Sequence, residues 1–178
     1  EILDRVHRTD LRGMLLDLLP SCSLDESFVE SAVREIDRSY AGFYMPRYAT
    51  EITGAIDLVK ILKARRYKVA IVTNATRSML DSFLRSFGLC DAVDIAVSAN
   101  EVSNPKPDPC GIRKVLKYMS VDPENALYVG DTTTDIVAGK AADVPTVGVL
   151  SGIGSREELT NAGAKFVIER ADHLVHIL

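Results

Sequence analysis

Three short strings in this 178-residue chain combine side chains that bind anions with side chains that bind cations. The first is Thr73-Asn74-Ala75-Thr76, which places a hydroxyl and an amide directly after the apolar run Val69-Ala70-Ile71-Val72. A strand tip leading into a helix favours anions, because the first backbone N–H groups of a helix have no internal acceptors. The same residue types are common helix caps, so this string alone fits either role. The second is Asn104-Pro105-Lys106-Pro107-Asp108-Pro109, where prolines on both sides of Lys106 restrict the backbone and can aim its ammonium. A solvated surface lysine is the alternative. The third is Gly130-Asp131-Thr132-Thr133-Thr134-Asp135, after Ala126-Leu127-Tyr128-Val129. Gly130 permits close backbone approach, and Asp131 and Asp135 face one point across a helical turn. Oxygen-only ligands of this kind suit Mg2+, which takes one or two carboxylates together with phosphate oxygens and water. Here the plainer role is Asp135 as a helix cap and Asp131 as a turn residue. Together and in this order, the strings supply neutral donors, one cation and a metal site, the set that phosphoryl transfer needs.

These side chains converge only if the surrounding elements bring them to one edge. Leu11, Met14, Leu15 and Leu18 fall at helical spacing, as do Val29, Ala32, Val33 and Ile36. Pro20 ends the first of these two amphipathic helices, and Ser23 with Glu26 is a candidate capping box for the second. Residues from Leu3 to about Phe43 therefore read as a helical hairpin. From Tyr44 to Thr53 the period is lost in an aromatic, polar stretch containing Pro46, which reads as a linker.

Beyond it helix and strand alternate. Ala55, Leu58, Val59 and Leu62 make a helical stripe; Leu80, Phe83, Leu84 and Phe87 make another, closed by Gly88; Ile112, Val115, Leu116 and Met119 make a third, behind Pro109. A small-residue helix over Asp135 to Ala142 and a last helix from Ala171 complete the set. Val69 to Val72, Asp94 to Val97, Ala126 to Val129, Thr146 to Leu150 and Lys165 to Ile168 read as strands. The alternation predicts an α/β fold with a parallel sheet buried on both faces, and ligands bind past the carboxyl ends of such strands.

Composition agrees with a folded domain, with 47% apolar and 26% charged residues. The 21 Lys plus Arg against 25 Asp plus Glu leave a net charge of −4, so nucleic acid is not an expected partner. No apolar run approaches the roughly 20 residues of a spanning helix, and a membrane is not expected either. Cys22, Cys90 and Cys110 have neither disulfide-framework nor zinc-site spacing. The chain opens at Glu1 without the pattern of a secretory signal, and the expected compartment is cytoplasmic. Oligomeric state is not legible. His7, His173 and His176 have no ligand at suitable spacing, while Arg47, in the linker, can reach a substrate carboxylate or stay at the surface.

On its three motifs the sequence resembles the haloacid dehalogenase-like hydrolases, specifically their phosphatase branch. Thr73 with Asn74 resembles the family's second motif, Lys106 its third, and Gly130-Asp131 to Asp135 its fourth. The likeness covers about residues 50 to 178, and the hairpin before it resembles part of the all-helical cap inserted after the family's first strand. The tail Gly148 to Gly154, with Glu158-Leu159 and Gly163-Ala164, is similar to that of phosphoglycolate phosphatases. The resemblance implies a partial helical cap over residues 1–48. It implies a three-layer, Rossmann-like core over residues 49–178 that lacks its first strand. By the same resemblance Thr73 and Asn74 bind phosphoryl oxygens and Lys106 neutralises nucleophile and phosphate. Asp131 ligates Mg2+, and Asp135 binds it through water or steadies the site. The implied substrate is a small phosphorylated metabolite, hydrolysed through a phosphorylated aspartate.

The family's first motif, DxDx[TV], which carries that aspartate and the general acid two residues later, is absent from these residues. Asp10-Leu11-Arg12 has arginine at the second position, and Asp91 and Asp94 are wrongly spaced. As written, the chain is expected not to turn over phosphate esters. The family's first strand is the centre of its sheet, and without it buried backbone groups go unpaired at about 1–3 kcal/mol each. The expectation is therefore that an N-terminal stretch carrying the strand, the DxD and the rest of the cap precedes Glu1. The alternative is a non-catalytic member that binds a ligand or partner chain in the same pocket. A third reading, 2-haloacid dehalogenation, needs no Mg2+ and so leaves the carboxylate pair without a purpose.

Overall fold

The computed structural model describes residues 11–18 and 25–178. His7, Asp10, Pro20, Cys22 and Ser23, and the expectations attached to them, lie outside the described residues. Helix α1 (Leu11–Leu18) and helix α2 (Glu26–Ser39) are the expected amphipathic pair, linked by an Arg12–Glu26 ion pair, and α2 buries Val29. Asp25 precedes α2 in extended backbone, and its carbonyl, not its side chain, accepts from the Phe28 and Val29 N–H groups.

The expected linker is instead helical as far as Tyr48. A π turn over Tyr40–Tyr44, closed by the Met45 N–H on the Tyr40 carbonyl, runs into the short helix α3 (Met45–Tyr48). Pro46 sits in the first turn of α3, directly after the π turn, and the backbone stays helical through Tyr44 and Met45, so it does not break the path. Side-chain hydrogen bonds fasten this helical arm to residues 76–82. The Asp37 carboxylate accepts from the hydroxyls of Thr76 and Ser78, and Ser82 Oγ donates to the Ala41 carbonyl at 2.6 Å.

The alternating region contains α4 (Ala55–Ala64), β1 (Ala70–Val72), α5 (Arg77–Ser86), β2 (Ile95–Val97) and α6 (Cys110–Met119). It continues with β3 (Tyr128–Gly130), α7 (Thr133–Ala141), β4 (Thr146–Val149), α8 (Arg156–Ala162) and β5 (Phe166–Ile168). Gly88 closes α5 as expected: at φ +64° it lets the Leu89 N–H return to the Leu84 carbonyl at 2.8 Å. The expected last α-helix is a 3-10 helix over Ala171–His176.

All strand pairs are parallel, but they form two sheets. β1 pairs with β2, Ala70 opposite Ile95, while β3, β4 and β5 form a second sheet with β4 central and Tyr128 opposite Thr146. The division falls between β1 and β3, where the resemblance puts the family's first strand. It corrects the expectation that Val69 to Val72 is fully buried. β1 and β3 border the division and are half-buried, whereas every residue of β4 is buried.

The strands are nonetheless covered on both faces. Ile71 packs with Ile56, Leu80 and Leu84 of α4 and α5, and Val129 with Leu58 and Leu174 on the same side. On the opposite side Val72 and Tyr128 meet across the division in one cluster with Ile112, Ala138, Ala142 and Val144. The two sheets are thus joined through α6 and α7, giving three layers, α/β/α. Each loop that leaves the carboxyl end of β1, β2 or β3 emerges at the same edge.

Candidate active site

Thr73 extends β1 by one residue, its N–H donating to the Val97 carbonyl at 3.0 Å. Its Oγ1 accepts from the Ala75 N–H at 3.1 Å, which leaves the hydroxyl hydrogen to donate elsewhere. The α5 cap is Thr76, whose Oγ1 accepts from the Met79 N–H at 3.3 Å. Thr73 and Asn74 are therefore not the helix cap.

Asn74 grips the Lys106 backbone from both sides. Its Nδ2 donates to the Lys106 carbonyl and its Oδ1 accepts from the Lys106 N–H, each at 2.9 Å. This two-point clamp ties the loop after β1 to the proline-flanked loop, in which the Lys106–Pro107 peptide is cis. Replacing Asn74 by alanine leaves a part-buried donor and acceptor unpaired. Chemical denaturation is expected to show a loss of about 1–3 kcal/mol.

The clamp aims Lys106 inward. Its Nζ lies 2.7 Å from Asp135 Oδ1, with side-chain exposures of 14% and 7%, so this is not a solvated surface lysine. Burial opposes the charge on Lys106, but the Tyr128 hydroxyl and the Asp135 carboxylate outweigh it, and its pKa is raised. Burial likewise opposes the charge on Asp135. Lys106 and the Thr132 donors outweigh it, and the carboxyl stays below its ordinary range. Tyr128, beside both, is pushed up to about 12 by burial and holds its proton. Its hydroxyl lies 3.3 Å from Asp135 Oδ1 and 3.4 Å from the Val72 carbonyl.

Asp135 meets four donor groups. Oδ2 accepts from the Thr132 N–H at 3.1 Å and the Thr132 hydroxyl at 2.6 Å, while Oδ1 receives Lys106 and Tyr128. Asp135 and Thr132 form the capping box of α7, so the expected cap role is realised in the same side chain that pairs with Lys106. Gly130 is required beside it, because a Cβ there would run into the Asp135 side chain. Asp131 stands differently. Its Oδ2 accepts the Ile153 N–H at 3.1 Å, and Oδ1 has no hydrogen-bond partner among the described residues.

Carboxylate oxygens are donors of the kind Mg2+ takes: Asp131 keeps one oxygen without a partner among the described residues, whereas both Asp135 oxygens are taken by protein donors. Among the described residues there is no cluster of three His, Cys, Asp or Glu that makes an all-protein metal cage. A magnesium site completed by substrate oxygens and water does not require one.

Thr73, Asn74, Lys106 and Asp131 thus lie on loops and Asp135 in the first turn of α7, with Asn74, Lys106 and Asp135 in a continuous hydrogen-bonded chain. Sequence reasoning passed over Tyr128, Thr132 and Ile153. The Thr132-x-x-Asp135 spacing was a readable capping signal, whereas nothing local marks Tyr128 or Ile153. Arg47 is exposed, with its guanidinium 4.3 Å from the Phe43 ring centroid. His173 and His176 are exposed on the 3-10 helix, and Cys90 and Cys110 are free thiols.

A parallel three-layer α/β fold with a lysine, a threonine and two aspartates at the carboxyl ends of its strands defines a class, and residues 10–149 match the haloacid dehalogenase-like hydrolases. The chain belongs to that family. It is 32% identical to pyrophosphatase PpaX of Bacillus anthracis over 170 residues, 91% of this chain and 79% of that one. With pyrophosphatase PpaX of Bacillus velezensis it shares 32% identity over 128 residues, 72% of this chain and 59% of the relative's length. The solved structure of a predicted phosphoglycolate phosphatase from Haemophilus somnus superposes with a TM-score of 0.85 at 19% identity. That superposition covers 99% of this chain and 80% of the other, and shows the shared fold. No helix among the described residues is long and apolar enough to cross a membrane.

Proposed function

We propose that this chain carries most of the catalytic site of a Mg2+-dependent phosphatase. The substrate is a small phosphate monoester, hydrolysed through an aspartyl-phosphate whose nucleophilic Asp is not among these 178 residues. The observation that carries the proposal is the buried Lys106 ammonium, clamped by Asn74 and paired with Asp135 at the carboxyl edge of the strands.

In this reading Thr73 donates its hydroxyl hydrogen, and Asn74 the second hydrogen of its amide, to the equatorial phosphoryl oxygens. Lys106 holds positive charge where negative charge gathers, and its fixed position avoids reorganisation during the reaction. Asp131 would hold Mg2+, which when bound neutralises phosphate oxygens and orients them. Asp135 keeps Lys106 charged and steadies the loop. Residues 1–48 serve as part of a cap and 49–178 as the core. The pyrophosphatase relatives favour pyrophosphate as a second substrate class to test.

The test uses the complete natural chain. Mg2+-dependent phosphate release from p-nitrophenyl phosphate or pyrophosphate is expected, falling at least about a hundredfold in EDTA. Absence of release, with Mg2+ and phosphate together still raising the melting temperature, would overturn the proposal in favour of a non-catalytic binding protein. Halide release from a 2-chloro acid without Mg2+ would overturn it in favour of dehalogenation.

A further inference from the structure

The glycine-containing stretch after β4 takes no part in the proposed phosphoryl chemistry. Its two glycines stand where they do for reasons of space, since neither adopts positive φ. A Cβ at Gly152 would run into the Asp131 carboxylate, and a Cβ at Gly154 would come within 2.5 Å of the Asp131 carbonyl oxygen. Between them the Ile153 N–H donates to Asp131 Oδ2 at 3.1 Å, and the Gly154 N–H donates to the Asp131 carbonyl at 2.8 Å. The stretch is anchored at both ends. The Leu150 N–H donates to the Ile168 carbonyl at 2.9 Å, and Ser155 and Glu158 form the capping box of α8. Leu159, wholly buried, packs against both Gly148 and Gly154.

We infer that the loop 151–155 is a positioning element for Asp131: the Ile153 N–H holds one carboxylate oxygen so that the other is presented to a divalent cation. The inference rests on the reading of Asp131 as the Mg2+ ligand. A carboxylate free to rotate loses part of its affinity to ordering, and a backbone donor on a twice-anchored loop removes that loss. The side chain of Ile153 is exposed and takes no part, which is why residue type at this position says nothing about the role.

The experiment is Mg2+ titration calorimetry on the complete natural chain, with the metal alone, beside melting in EDTA. Ile153→Pro deletes the N–H, and Gly152→Ala pushes the loop off the carboxylate. Each is expected to weaken Mg2+ binding at least tenfold with little change of melting temperature in EDTA. Phosphate release should recover as Mg2+ is raised. The conservative variant Ile153→Ala, which keeps the N–H, restores the affinity. Asp131→Asn is expected to abolish binding. If Ile153→Pro and Gly152→Ala bind Mg2+ as tightly as the natural protein while Asp131→Asn does not, the loop inference fails and the metal reading stands. If Asp131→Asn itself binds normally, the metal reading fails. Loss of folding in EDTA by both loop variants assigns the loop to stability alone and overturns the inference.

Discussion

Replacing Lys106 by methionine will lower phosphate release by the complete natural chain about a hundred- to a thousandfold, the usual consequence of deleting one fixed donor to developing negative charge. Methionine matches the length of the lysine stem, so the packing around Tyr128 is retained and the change isolates the ammonium. A second effect accompanies the first. Asp135 stays buried with its countercharge gone, and removing one partner of a buried pair costs on the order of 3–5 kcal/mol. Steady-state kinetics at saturating substrate reads the first effect, and urea denaturation the second. A variant with kcat within a few-fold of the natural protein would remove Lys106 from the site. Destabilisation below about 1 kcal/mol would show that the Lys106–Asp135 contact is not a buried pair in solution.

Asp135→Asn acts on the other end of the same contact. It keeps a side-chain oxygen for Thr132 and removes the charge that faces Lys106, leaving an ammonium buried without compensation at a cost of about 3–5 kcal/mol. The pH dependence has a definite sign. The Asp135 carboxyl lies below its ordinary value in the folded state. Its stabilising contribution is therefore complete above the unfolded value of about 3.9 and is lost as pH falls through the lower folded value. Lys106 is raised, so its contribution is complete below about 10.4 and is lost as pH rises through the higher folded value. Between about pH 5 and 9 the pair contributes a constant amount. Denaturation midpoints measured from pH 2 to 7 should show a steep acid limb in the natural protein and a shallower one in Asp135→Asn. Superimposable limbs would mean that Asp135 is not the group whose protonation drives acid unfolding.

Single residues in this arrangement serve two purposes. Thr132 and Asp135 start α7 as a capping box through one Asp135 oxygen, while the other Asp135 oxygen holds Lys106. Asn74 has the same economy, since one side chain closes a loop and sets the direction of the neighbouring loop's lysine.

Much of the fold was readable from residue order because it is local. Helical spacing placed α4, α5 and α6, apolar runs placed the five strands found among the described residues, and Gly88 marked the end of α5. Where the reading failed, a longer-range contact or a neighbouring turn intervened. Pro46 looked like a break, yet the π turn before it continues the helical path into α3. The 3-10 ending at Ala171–His176 carries the same apolar spacing as an α-helix over so short a span.

Residue order by itself determined which chemical groups are present, that they sit at strand ends, and that the strands are parallel with helices between. Periodicity, turn chemistry and the handed, unidirectional connections of α/β chains suffice for that much. Only the tertiary structure decided how the groups are engaged. It showed Asn74 gripping a backbone 32 residues away, Asp135 saturated by four donors, and Asp131 held by the N–H of Ile153. A backbone donor leaves no trace in residue type, and hydrogen bonds between loops depend on distances in space that no spacing along the chain encodes.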